Sequence, residues 1–372
     1  VRKDLAETLL AGIMGWSDAT KAAERARLES FASYKYDEYQ QFAPGRRFIE
    51  SLALWLRQFE AGDERRDAYN FVRDRLVFLS ASEINHLVEL TFPTAIRPHL
   101  IRDAAAELGI RSDLVKAITT TPEYRARLRR TLVLGMSDGA HTDWFRRANP
   151  LEMSNEQVFH AYDVSDAKAE DLNGHLRKDL TEILGRDPTD AETRFQYVVL
   201  LDDFSASGTS ALREDKAGGW TGKIAKVVEL LEQDSRLGAT VAAKGVRVMV
   251  ILYVAADQAI AHIEEGLSKL TFSKGTLHFD VIHRLGPSTP LDASRDKAII
   301  GLAQQDRYFD DTVDDEHAAV AGTSKRLGYA NCRLPVVLSH NTPNNSIFLL
   351  WAEDVQSVRG LFPRVDRHRK RH

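Results

Sequence analysis

Cysteine is almost missing from this chain: Cys332 stands alone among 372 residues. One thiol excludes an internal disulfide and any cysteine-built zinc site within a single chain. It suits a reducing compartment, so the expected location is cytoplasmic and the expected role of Cys332 is a buried spectator. Long apolar runs are missing too. None approaches the roughly 20 residues that a membrane-crossing helix needs, and the opening Val1-Arg-Lys-Asp4 is polar, unlike a secretory signal. A start on Val in place of Met leaves room for a trimmed or truncated beginning. Neither sign of charge dominates, since 50 Lys and Arg stand against 54 Asp and Glu for a net charge of -4. Nothing global therefore points to a polyanion or an anionic membrane as partner. There is no internal repeat, no low-complexity tract, no His-Glu-x-x-His helix, no Walker loop and no Ser/His/Asp or Cys/His arrangement that would supply a nucleophile.

What is present divides into two textures, as a length of 372 residues suggests for two domains. From residue 1 to 125 the pattern is helical. Phe48, Leu52, Trp55 and Phe59 fall on one helix face, and Ser80-Ala-Ser-Glu83 ahead of Ile84, Leu87 and Val88 reads as a capping box. Pro93 and Pro98 break the run, a further helix is expected from Ile101 to Ile118, and no strand is expected before residue 131. After Pro122, short β-rich apolar runs alternate with amphipathic helices, the pattern of a parallel sheet flanked by helices in an α/β domain spanning 126–363. The expected strands are Leu132–Leu134, Tyr197–Leu201, Val246–Val254, Leu277–Ile282 and Pro335–Leu338. Their apolar runs are continuous, as they must be where helices cover both sheet faces. Helix stripes appear at Ile224, Val227, Val228 and Leu231 and at Ala259, Ile260, Ile263 and Leu267, and Gln157–Leu184 is also expected to be helical. A basic tail, 364–372, closes the chain with four Arg and one Lys, a composition typical of disorder.

The most informative segment is Tyr197-Val-Val-Leu-Leu-Asp-Asp-Phe-Ser-Ala-Ser-Gly-Thr-Ser210. Val198 to Leu201 would carry the backbone to the carboxyl edge of the sheet, where open α/β folds bind ligands. Asp202 and Asp203 follow. Two adjacent acids behind a hydrophobic strand are unfavourable to bury unless they meet hydrogen-bond donors or a metal, and ribose hydroxyls are such donors. Ser205, Ala206, Ser207, Gly208, Thr209 and Ser210 then form a run of small and hydroxylated residues. Their N–H groups can approach a phosphate closely, with Gly208 free to take positive φ and a following helix expected to add its dipole. A polar loop capping a helix would explain the Ser and Thr but not the paired acids.

Four apolar residues, Asp-Asp, an apolar residue, two variable residues and then small-Gly-Thr-small resemble the PRPP-binding motif of type I phosphoribosyltransferases. The resemblance implies that Asp202 and Asp203 hold the ribose 2′- and 3′-hydroxyls and that Ala206 to Ser210 cradle the 5-phosphate. It also implies Mg²⁺ as cofactor, acting on the pyrophosphate of PRPP, with no metal ligand assigned directly to a side chain. The order of a helical region, Leu134-Gly-Met-Ser-Asp-Gly-Ala-His-Thr-Asp-Trp-Phe-Arg-Arg147, the Asp-Asp motif and Ser339-His-Asn-Thr-Pro-Asn-Asn345 is similar to the phosphoribosyltransferase-like effectors of bacterial anti-phage systems, including retron operons. That branch implies a reverse transcriptase–DNA complex or a DNA-binding operon partner, and a homo-oligomer is a further expectation. An enzyme transferring or releasing ribose 5-phosphate is the first expectation. A silent PRPP or nucleotide sensor and a subunit of a nucleoprotein assembly are the alternatives.

Other loops admit two readings each. In the family the loop after the first strand binds pyrophosphate, which assigns Gly135, Met136, Ser137, Asp138 and Gly139 here; Asp138 would repel pyrophosphate unless it holds Mg²⁺ or a water, and an Asp-Gly turn into a helix is the rival. His340, Asn341, Asn344, Asn345 and Trp351 offer an imidazole, amides and a stacking face for a nucleobase, or simply shape a tight turn. The insertion Arg213–Gly222 is either a lid that brings Trp220 or Lys216 to the ligand or a solvated loop. Asp310, Asp311, Asp314, Asp315 and Glu316 read as a solvated charge run rather than a metal site.

Overall fold

The computed structural model describes residues 3–160, 165–234, 236–314, 322–353 and 358–364. Most of the expected tail, 365–372, and Asp315 and Glu316 of the acidic run lie outside the described residues. Among those described, no helix is long and apolar enough to cross a membrane. The chain divides into two compact units, one made of residues 1–83 with 286–372 and the other of residues 84–285.

The second unit is the α/β part. Five strands, β2 (Thr131–Gly135), β3 (Val158–Phe159), β4 (Tyr197–Ser205), β7 (Val246–Ala256) and β8 (Gly275–Leu285), form one sheet in the order β3-β2-β4-β7-β8. Every neighbouring pair is parallel. Continuous apolar runs produce this because both faces are covered. Leu132, Leu134, Val198, Leu200, Val248 and Val250 pack against Leu172, Leu176 and Leu180 of the helix Asp166–Leu184 and Ile224, Val227, Val228 and Leu231 of the helix Lys223–Glu232. Residues of alternate parity, Val133, Val199, Leu201, Met249 and Ile251, are buried on the opposite face. Each fully buried aliphatic side chain contributes about 1.5–3 kcal/mol, so three such strands form the core of the unit. Helix Asp166–Leu184 starts later than expected, because Val158–Phe159 is used as the edge strand beside β2.

The first unit is mainly helical. Helices Lys3–Met14, Asp18–Tyr34, Phe48–Arg57 and Gly62–Asp74 share a core with Ile299, Leu302, Leu349, Leu350 and Phe362 from the far end of the chain. Trp55 Nε1 donates to Leu349 O at 2.8 Å and Ser51 Oγ to Leu361 O at 2.8 Å. The expectation of no strand before residue 131 is corrected here: β1 (Val77–Leu79) pairs in parallel with β9 (Val336–Leu338) as a separate two-stranded sheet. The expected capping box forms, with Glu83 N–H donating to Ser80 Oγ at 3.1 Å and Ser80 N–H to Glu83 Oε2 at 2.9 Å. Residues 84–125, grouped by texture with the N-terminal helices, belong to the sheet unit, while 286–363 belong with residues 1–83. Periodicity reports an element's type but not its packing partner, so a segment boundary at 125 was the only division available to it.

Candidate functional site

Strand β4 runs beyond Leu201, to Ser205, so the paired acids lie inside the strand, with Asp202 opposite Leu252 of β7. Successive strand side chains point to opposite faces, and the two acids accordingly meet different surroundings. Asp202 is only 3% exposed. Its Oδ2 accepts from Lys223 Nζ at 2.6 Å, and its Oδ1 accepts from Ser137 Oγ. Asp203 is half-buried and lies against Gly139, where an added Cβ would stand 2.5 Å from Asp203 Oδ2. A larger residue at 139 would require the Asp203 carboxylate to shift. Tyr253 on β7 is buried, and its hydroxyl donates to Ala140 O at 2.6 Å.

Burial pushes the Asp202 carboxyl up, to about 6; Asp203 adds to the rise, and Lys223 and the Ser137 hydroxyl oppose it. Burial also raises the Tyr253 phenol, reinforced by Asp203 and Asp202. The site thus holds two carboxylates in a water-poor setting, with one ammonium and two hydroxyls around them.

Its position follows from the strand order. β2 has β3 on one side and β4 on the other, and the connections leave in opposite directions, which makes the carboxyl ends of β2 and β4 the sheet's topological switch point, the place where open α/β sheets bind ligands. Gly135 pairs with Leu201 and Met136 N–H donates to Leu201 O at 2.8 Å, bringing the 135–139 loop beside the acids. Within that loop Met136 is buried, Asp138–Ala140 form a single 3₁₀ turn, and the Ser137 hydroxyl is engaged by Asp202. The nearby Arg146 and Arg147 donate to Asn155 Oδ1 at 2.5 Å and Asp143 Oδ2 at 3.1 Å.

In the Ser205–Ser210 loop, Ser205, Ala206 and Ser207 are buried, Thr209 is half-buried and Ser210 is exposed. Gly208 has φ +80, and an added Cβ would meet His262 Cδ2 at 2.8 Å, so the loop packs tightly on the helix Asp257–Lys269. Ser207 Oγ and Thr209 Oγ1 are hydrogen-bonded at 3.0 Å.

The insertion read from the sequence does separate the loop from the next helix. The insertion folds as a hairpin, β5 (Arg213–Glu214) against β6 (Trp220–Thr221), closed by Asp215 Oδ1 accepting from Ala217 N–H and Gly219 N–H at 2.8 Å. Trp220 packs against the sheet unit's core beside Gly266, and Lys216 is exposed in the turn. The helix begins only at Lys223, whose N–H donates to Ser210 O at 3.2 Å while Ile224 N–H donates to Ala211 O at 2.9 Å. Those first-turn donors, which a helix amino terminus would offer an anion, are engaged by loop carbonyls.

The residues assigned to base recognition belong to the first unit and shape a loop there. His340 O accepts from Gln41 Nε2 at 2.8 Å, Asn341 Oδ1 from Thr342 N–H at 3.0 Å and Asn344 O from Tyr329 N–H at 2.8 Å. Asn345 Nδ2 donates to Tyr329 O at 3.3 Å. Trp351 is buried with Phe309, Phe348 and Val358, and its Nε1 donates to Ser346 O at 2.8 Å, so the face expected for stacking is covered by that unit's own packing.

Sequence reading missed Lys223 and Tyr253. Tyr253 sits in an unbroken apolar run with nothing to mark it, whereas Lys223, a cation between the phosphate-type loop and the Ile224 stripe, carried a signal that could have been read. Among described residues no group of three His, Cys, Asp or Glu side chains gathers to hold a metal ion. No curated protein and no solved structure matches the chain. The family model of PRTase-CE, in contrast, matches residues 52–364, which takes in the acid pair, the Ser/Gly/Thr loop and most of both units. The chain, phosphoribosyltransferase-like in function, therefore belongs to the PRTase-CE family.

Proposed function

We propose that the crevice between β2 and β4 binds PRPP or a nucleotide through its ribose 5-phosphate part and transfers or releases that group. One observation carries the reading: Asp202, Asp203, the 135–139 loop and the Ser205–Ser210 loop converge at the sheet's topological switch point. The acids accept from vicinal ribose hydroxyls, and the small residues around Gly208 receive the phosphate. Mg²⁺, when bound, neutralises pyrophosphate oxygens. It characteristically uses substrate phosphates with one or two carboxylates and its own waters, a demand that Asp202 and Asp203 suit without a dedicated cage. Family chemistry passes through a ribosyl cation-like transition state. The protein's part is then to orient the sugar and stabilise charge, consistent with a chain that offers no nucleophile arrangement.

Calorimetry with PRPP and Mg²⁺ on the wild type, Asp202→Asn and Asp203→Asn tests this. Binding by the wild type and a loss of about 1.5–3 kcal/mol in each variant is expected, as for hydrogen bonds to a charged acceptor. Identical binding by all three proteins, or none by the wild type, would remove the assignment.

A second reading, a sensor that binds without turnover, is favoured by Ser137: its hydroxyl, expected to face pyrophosphate, is engaged by Asp202. Tight PRPP binding with no pyrophosphate or new nucleotide released would select it. In either case the similarity of motif order to anti-phage effectors leads us to place the protein in bacterial defence, with a reverse transcriptase–DNA complex or DNA-binding protein as partner.

A further inference from the structure

We propose that Lys223 is the positioning residue of this site, a counter-ion that neutralises Asp202 and passes to the ligand's 5-phosphate when ribose hydroxyls take its place. The inference rests on the ribose-phosphate reading and assigns a part to a side chain outside the motif.

Both oxygens of Asp202 accept from donors of the chain itself, Lys223 Nζ at 2.6 Å and the Ser137 hydroxyl. A ribose presented to Asp202 must therefore compete for those oxygens. Removing an ammonium from a buried carboxylate without replacement is strongly unfavourable, but a vicinal diol brings two O–H donors and leaves the acid satisfied. The displaced ammonium then needs an anion, and the phosphate loop lies next to it: Lys223 N–H is hydrogen-bonded to Ser210 O at 3.2 Å, which ties the residue's backbone to the end of that loop. The Lys223 side chain is 31% exposed, so its head stands at the margin of the site on a flexible four-carbon stem.

Two further observations point the same way. The first two N–H groups of the helix, those of Lys223 and Ile224, are already bonded to Ser210 O and Ala211 O and so are not donors to a phosphate, which makes a side-chain cation beside the loop the more valuable. Arg213 is exposed and donates to Thr209 O, whereas Lys223 is the cation bonded to Asp202. The titratable groups acting on Asp202 are Asp203, Lys223 and, across on β7, Tyr253. Of these Lys223 alone carries positive charge.

The test compares ribose 5-phosphate and inorganic phosphate binding by calorimetry in the wild type, Lys223→Met, Lys223→Arg, Asp202→Asn and the Asp202→Asn/Lys223→Met double variant. Lys223→Met should weaken ribose 5-phosphate by about tenfold or more, the scale of one lost charge-assisted contact, and Lys223→Arg should recover most of it. Asp202→Asn releases the ammonium, so it should bind inorganic phosphate more tightly than the wild type, and the double variant should lose that gain. The double variant also keeps the comparison valid if Lys223→Met alone unfolds, because it removes the unpaired buried carboxylate. Lys223→Met binding ribose 5-phosphate as the wild type does, or Asp202→Asn and the double variant binding phosphate equally, overturns the role of Lys223 and leaves the pocket reading standing. A wild type that binds neither ribose 5-phosphate nor PRPP refutes the pocket reading itself, and the relocation with it.

Discussion

At the scale of single residues, Asp202 decides how the site responds to pH. Burial holds its folded pKa, at about 6, above the value of about 3.9 expected in the unfolded chain. The native state then binds the proton more readily than the unfolded state, so this residue's contribution to stability falls as pH rises through that interval and levels off above it. Asp202→Asn removes the effect. The melting temperature of the variant relative to the wild type should therefore rise between about pH 4.5 and pH 7, by a few degrees for a chain of this size. A constant difference across that range would show that Asp202 does not titrate there. The acids themselves were legible in the sequence, because two carboxylates behind four apolar residues have no ordinary structural use. Tyr253 was not, since a tyrosine within an apolar strand looks like any other core residue until a neighbouring strand brings it to Ala140 and the acids.

At the scale of elements, the long strands were readable because burial on both faces writes itself as a continuous apolar run. β1 was not. Val77–Leu79 is a three-residue strand between helices, and only its pairing with β9 makes it one. The hairpin from Arg213 to Thr221 was legible as an insertion but not as structure, because its glycines suggest mobility whereas Asp215 supplies the closing hydrogen bonds. Asp215→Ala should speed amide hydrogen exchange across 213–221 while leaving the global melting temperature within about a degree, as for an exposed local element. Unchanged exchange would mean that Trp220, packed beside Gly266, holds the hairpin without the turn.

At the scale of the whole molecule, the order of textures along the chain gave the fold class but not the grouping of its parts. Residues 84–285 form one unit and interrupt the other, whose core joins Phe48, Leu52 and Trp55 to Leu349, Leu350 and Phe362. Trp55→Ala should destabilise that unit by about 3–5 kcal/mol, the usual result of truncating a fully buried aromatic side chain. It should do so without changing sugar-phosphate affinity, since every residue of the proposed crevice belongs to the other unit. Chemical denaturation and calorimetry on the same variant check both halves of that statement.

The interrupted unit also sets an order of events during synthesis. On a ribosome, the first 83 residues emerge well before Val336–Leu338 and Leu349, their partners in sheet and core. The nascent α/β unit, contiguous in sequence, is complete by Leu285, and domains generally fold as units from the amino-terminal side. The crevice is thus assembled while the opening helices still wait for the segment that closes over their apolar faces, and during that interval those faces are the part of the chain most in need of a chaperone.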